Sequence, residues 1–139
     1  MTGNVLAFDY GLRRIGVAIG NPLAATARAL PPLAARDGVP DWEQVRRLIS
    51  EWAPTVLVVG LPLNMDDTPS PISERASRFA RRLHGRFGLR CELVDERLST
   101  FAARGRLLDG SAHAALDSVA ACIILETWFS AGGTQAVPV

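Results

Sequence analysis

The stretch Leu6–Gly20, LAFDYGLRRIGVAIG, decides the reading of the fold. Its flanks, NVLAFDYG and RIGVAIG, read as two strands joined by a short glycine-containing turn, an antiparallel hairpin. Asparagine or glycine would suffice for such a turn. The chain instead sets a carboxylate, Asp9, at the end of the first strand and a pair of arginines, Arg13 and Arg14, just beyond it. A charge in that place answers a need other than turning the chain.

Outward from the hairpin, ATARALPPL predicts a third strand, closed at its end by Pro31 and Pro32. Asp41 is placed to cap a helix whose apolar residues Trp42, Val45, Leu48, Ile49 and Trp52 follow helical spacing, and Pro54 ends it. TVLVVGLP is apolar on both faces, the mark of an interior strand covered from both sides. After a loop rich in Pro, Asp and Asn, Ile72, Ala76, Phe79, Ala80, Leu83 and Phe87 line one side of a second helix. LRCELVDE predicts another strand, Ser99 or Thr100 the cap of a short helix to about Leu108, and a last helix runs from near His113 to Phe129. The order predicts an α/β fold, a mixed central sheet of antiparallel hairpin plus parallel strands with helices on both faces. One domain is expected over residues 1–131. The tail 132–139 has too little apolar content to pack and is expected to be flexible.

With 48% hydrophobic and 21% charged residues in a chain of 139, the composition is that of a globular domain with a full core. The apolar runs are too short to span a bilayer and no secretion signal is visible, so a cytoplasmic protein without membrane association is expected. Cys91 and Cys122 lack metal or CxxC spacing and read as buried free thiols. The net charge is +1, but it is unevenly placed: all fifteen basic residues are arginine, and nine lie between Arg75 and Arg106 against three acids. A polyanionic partner explains that asymmetry, and so does a solvated helix face, because arginine is also a good helix former.

Three places hold carboxylates where packing alone would not put them. Asp9 ends the first strand, Asp95 and Glu96 end another, and Asp117 precedes Ala120, Ala121 and Ile124 by three, four and seven residues on the last helix. Each has a plain explanation, in a turn hydrogen bond or an arginine partner. Together they suggest a cluster, which like-charge repulsion disfavours unless a cation sits within it. Mg²⁺ or Mn²⁺ suits hard oxygen donors, and two such ions can promote hydrolysis of a phosphodiester. A one-residue shift at the strand end exchanges Asp95 and Glu96, so spacing leaves that choice open.

DYGLRRIGVAIGNPL, VVGLPLNM, DERLST and ALDSVAA, in this order from about Val5 to Phe129, resemble the signature segments of the YqgF/RuvX family of pre-16S ribosomal RNA nucleases. The resemblance implies an RNase H-like fold related to RuvC-type Holliday-junction resolvases, and metal-dependent nuclease activity using Mg²⁺ or Mn²⁺, two ions in all. Its acidic positions fall on Asp9, Glu96 and Asp117, as catalytic residues and metal ligands. It implies nucleic-acid contacts at Arg13, Arg14 and Arg97, with Asn64 in the loop after GLP near the site. The implied partner is precursor ribosomal RNA or another structured nucleic acid, with ribosome association and a monomer or homodimer both open. A junction-resolving DNA nuclease and a non-catalytic RNA-binding module of the same fold are the alternatives. A nucleotide-binding ATPase also begins with a strand and a DxG turn, but it needs two lobes and this chain supplies one.

The family often has lysine at the position of Arg13, aspartate at that of Asn21 and a glycine in the loop reading MDDTPSP here; none of these departures removes an implied ligand. Among lesser candidates, His84 reads as a surface residue, His113 as a helix-start residue, and Trp42, Trp52 and Trp128 as packing. Gly60 is expected to let the chain turn sharply near the site.

Overall fold

The computed structural model describes residues 3–24, 26–61, 71–95, 113–130 and 137–138, with backbone alone for Asp95, 113–117 and 137–138. Seven strands, β1 (Val5–Asp9), β2 (Arg14–Asn21), β3 (Thr26–Arg36), β4 (Val39–Pro40), β5 (Val56–Leu61), β6 (Arg90–Asp95) and β7 (Val137–Pro138), form one sheet. Their spatial order is β4-β3-β2-β1-β5-β6-β7. Three helices are described, α1 (Trp42–Trp52), α2 (Pro71–Phe87) and α3 (His113–Ser130). β1 and β2 are antiparallel, with Asp9 opposite Gly16, whereas β1–β5 and β5–β6 are parallel. The expected mixed sheet is the one that forms. The short helix expected to end near Leu108 lies outside the described residues.

Strand alternation divides the core in two. Leu6 and Phe8 of β1 and Tyr10 just beyond it, with Ile15, Val17, Leu57 and Val59, meet Val45 of α1 and Ala76, Phe79, Ala80 and Leu83 of α2. On the other face Val5, Ala7, Ala18, Val58 and Val94 meet Ala121, Cys122, Ile124 and Leu125 of α3. Fully burying a side chain such as Phe8 or Leu57 is worth roughly 1.5–3 kcal/mol. That gain, repeated on both faces, sets the register: a slip of one residue would exchange the two cores.

Local chemistry agrees at α1. The Asp41 carboxylate accepts from the Glu43 N–H at 2.9 Å, and the helix closes at Ala53, whose φ of 45° is left-handed, directly before Pro54. Neither Cys91 nor Cys122 is in a disulfide, and both are buried.

Two expectations need correction. β3 does not stop at Pro31 and Pro32. It continues to Arg36, because the prolines fall in a bulge: Leu30 pairs with Val17 and the next pair is Leu33 with Ile15. No ladder donor is required of a residue within that irregularity. The tail is also not loose throughout, since Val137 and Pro138 pair with Leu93 and Glu92 of β6. Backbone pairing at a sheet edge holds them, which apolar content could not reveal.

α3 runs back along β1. Near its start the Ser118 hydroxyl donates to the Leu30 carbonyl at 2.6 Å; Leu30 is opposite Val17, and Val17 is opposite Phe8. Toward its end Leu125 and Phe129 lie over Gly20, where a Cβ would come within 2.9 and 3.1 Å of them. Gly20 is opposite Val5. The start of α3 therefore stands at the carboxyl end of β1, where ligands of parallel strands gather.

Candidate active site

Asp9 closes β1 half-buried, between two aromatic residues that settle its direction. Phe8 and Tyr10 are buried against Phe79, with ring centroids 5.8 and 5.3 Å away. Both belong to the α1/α2 core, so Asp9 shares the opposite face with Val5 and Ala7, the face covered by α3. The same alternation that builds the core thus places the carboxylate.

The turn after Asp9 is tightly specified. A Cβ on Gly11 would lie 2.4 Å from the Arg14 carbonyl oxygen, so glycine is required there. The Leu12 and Arg13 carbonyls accept from Gly38 and Ala35, each at 2.8 Å, which ties the turn to the β3–β4 hairpin. Arg13 and Arg14 stand exposed at this end of the sheet.

Position 117 lies on α3 beside Ser118, four residues before Ala121 and seven before Ile124, both fully buried. With Ser118 anchored to Leu30, the backbone at 117 is at the same end of the sheet as Asp9. β6 also ends here, Asp95 opposite Leu61 of the intervening β5. Two strand spacings, about 10 Å, separate β6 from β1. Glu96, Arg97 and Asn64 lie outside the described residues. Asp9, Arg13, Arg14 and position 117 are the expected site residues that the structure brings to one end.

β6 sends two residues to the side of α3. Glu92 accepts from the Trp128 indole of α3 at 3.1 Å, and Val94 packs in the α3 core. These two share the face of Asp9.

Among the described residues no group of three or more His, Cys, Asp or Glu could hold a metal ion; two of the three expected ligands have side chains outside that description. The donor set fits Mg²⁺ or Mn²⁺ by its chemistry, all carboxylate oxygen. Asp9, half-buried at a strand end rather than sealed in the core, is compatible with such an ion.

Ser118 is the residue that spacing did not single out. The signal was available, a hydroxyl beside Asp117 at the head of the apolar run 119–125, but its partner is 88 residues away. The expectation for Gly60 is corrected as well: it sits within β5 opposite Val94, not at a turn. Trp42 stacks on Phe79 and carries the Arg86 guanidinium 4.3 Å from its ring, and His84 Nδ1 lies 2.8 Å from the Leu89 carbonyl oxygen.

Comparison with known proteins supplies the family context. A family described as RuvX, Holliday junction resolvase, matches residues 3–131. A relative from Yersinia pestis (strain Pestoides F) is 55% identical over 130 residues, covering 90% of this chain and 93% of the relative. One from Yersinia pseudotuberculosis serotype O:1b (strain IP 31758) matches to the same extent. Both are provisionally named pre-16S rRNA nucleases. Among solved structures, Thermus thermophilus RuvC in complex with a Holliday junction substrate superposes with a TM-score of 0.59 at 16% identity, over 99% of both chains. A further Thermus thermophilus RuvC structure gives 0.54 at 14% identity, over 98% of this chain and 99% of that one. These likenesses show the fold, which is RNase H-like.

Proposed function

The chain belongs to the RuvX family, and from that premise we propose that it is a metal-dependent nuclease acting on precursor 16S ribosomal RNA. One observation carries the reading. Asp9 projects at the carboxyl end of β1 on the face covered by α3, and the Ser118 hydrogen bond holds the start of that helix, with position 117, at the same end. The ribosomal RNA substrate rests on the relatives that are 55% identical.

In this reading Asp9, Glu96 and Asp117 hold Mg²⁺ or Mn²⁺, two ions in all. Glu96 is favoured over Asp95 on motif position, as the acid of the DER segment. When bound, the ions supply a water acidic enough to ionise near neutral pH and offset charge on the leaving oxygen. The chain's own residues do the rest. Asp9 keeps its orientation through Phe8 and Tyr10, and Ser118 keeps the helix start in place. Arg13, Arg14, Arg97 and Asn64 bind substrate phosphates and sugars, orienting the bond to be cut. No side-chain general base is required. The substrate places the activity in the cytoplasm, with or without the ribosome, in a monomer or a homodimer.

The family's description and the RuvC-like fold favour a second reading, a nuclease of branched DNA. Purified protein and Mn²⁺ incubated with a labelled structured precursor RNA and, separately, with a four-way DNA junction separate the two. RNA cleavage that disappears in Asp9→Asn supports the first; paired, symmetric cuts in the junction alone support the second. Full RNA cleavage by Asp9→Asn would overturn the site itself.

A further inference from the structure

On the face of the sheet opposite Asp9, a cleft opens between the β3–β4 turn, the start of α1 and α2. It is lined by Tyr10, Asp37, Gly38, Trp42, Phe79 and the arginines Arg75, Arg78 and Arg82, with Val39 at its edge. Its floor is rigid. The Tyr10 hydroxyl reaches so close to Gly38 that a Cβ there would stand 1.8 Å from it, and Gly38 has a φ of 80°, so glycine alone fits. Arg75 fastens the rim by donating to the Asp37 carboxylate at 3.2 Å and to the Asp37 carbonyl at 2.9 Å.

That pairing accounts for Asp37, the one acid of the lining. Arg78 and Arg82 are exposed, and among the described residues neither has a carboxylate partner. Arg75, Arg78, Arg82 and Arg86 recur at three, four and four residues along α2, a single row about 16 Å long at 1.5 Å per residue. A row of this kind fits a series of charges along a strand better than one small anion. Trp42 does not offer a face for base stacking, because Phe79 covers one part of it and Arg86 stacks at 4.3 Å. The chemistry recognised is therefore phosphate rather than base.

Position connects the cleft to the site. Tyr10 directly follows Asp9 in the chain, so a strand lying across the carboxyl end of β1 needs only to pass over the β1–β2 turn to enter the cleft. We infer that this cleft binds the phosphate backbone of the nucleic-acid substrate beyond the bond to be cut, through Arg78 and Arg82. The inference rests on the nuclease reading for the identity of the strand, and on the cleft alone for the binding.

The test is a fluorescence-anisotropy titration of a labelled single-stranded RNA oligonucleotide without divalent ions, at several salt concentrations, using the full chain. The double variant Arg78→Ala/Arg82→Ala should bind about tenfold or more weakly at low salt. Each lost phosphate contact should reduce the slope of log affinity against log salt by about 0.7. Arg78→Lys/Arg82→Lys should keep the slope, and Arg81→Ala, outside the lining, should change neither quantity. Melting temperatures of the exposed-arginine variants should match the parent, excluding a folding defect. Absence of RNA binding, or an unchanged slope in the double alanine variant, overturns the inference. Failure of the nuclease reading looks different: binding stays dependent on Arg78 and Arg82, while neither parent nor Asp9→Asn cleaves RNA with Mn²⁺.

Discussion

Replacing Ser118 by alanine tests whether one hydrogen bond couples the fold to the site. Ser118 is 3% exposed, and its hydroxyl donates to the Leu30 carbonyl at 2.6 Å, tying α3 to β3. Alanine leaves that buried contact unmade, at a cost of about 1–3 kcal/mol. The better helix propensity of alanine returns about 0.5 kcal/mol, and the small volume lost adds little. A net loss of about 0.5–2.5 kcal/mol is expected, lowering the melting temperature by about 2–9 °C for a chain of this size. The consequence for function is separate. With its tie to β3 gone, the start of α3 is free to shift, so position 117 loses its fixed distance from Asp9. A misplacement of 1 Å can cost about a hundredfold in rate. Denaturant unfolding should therefore be run beside RNA cleavage at a temperature where the variant stays folded. Cleavage should fall well beyond what the unfolded fraction explains, with substrate affinity nearly unchanged. A Ser118→Ala protein with parental stability and rate would refute the claim that this bond positions the helix start.

Gly38→Ala confronts a Cβ with the Tyr10 hydroxyl at 1.8 Å and with a φ of 80°, so a loss of at least about 2–3 kcal/mol is expected in denaturant unfolding. Burial, with a smaller contribution from the neighbouring Glu92 charge, pushes the Cys91 thiol up to about 12 from 9.0. Native protein should then resist thiol reagents at pH 8 and react once unfolded. A raised thiol pKa also means that its contribution to stability is present below about pH 9 and is lost as pH climbs toward 12, readable as a falling melting temperature. Millimolar Mn²⁺ should raise the melting temperature of the parent more than that of Asp9→Asn. Equal shifts in both proteins would remove Asp9 from any ion site.

Much of this architecture is legible in short-range pattern. The doubly apolar run Val56–Leu61 becomes an interior strand because only helices on both faces can cover it, and Asp41 caps α1 through a contact two residues away. The prolines of β3 misled because their tolerance depends on a bulge against β2, a partner that the local sequence does not contain. The tail strand β7 escaped for the same reason: its backbone donors and acceptors find β6 across more than forty residues.

The candidate site divides in the same way. Residue types alone marked Asp9, the acids after LRCELV and Asp117 as unusual, since a carboxylate beside apolar neighbours is costly wherever it occurs. Which face of the sheet Asp9 occupies was decided only in three dimensions, where Phe8 and Tyr10 commit to the α1/α2 core and leave it the side of α3. The arginine row of α2 was equally visible as charge and equally mute about use, until Tyr10, Gly38 and Asp37 closed a cleft beneath it. Periodicity is a property of neighbours along the chain; convergence belongs to contacts between distant segments, and those exist only once the two cores have formed.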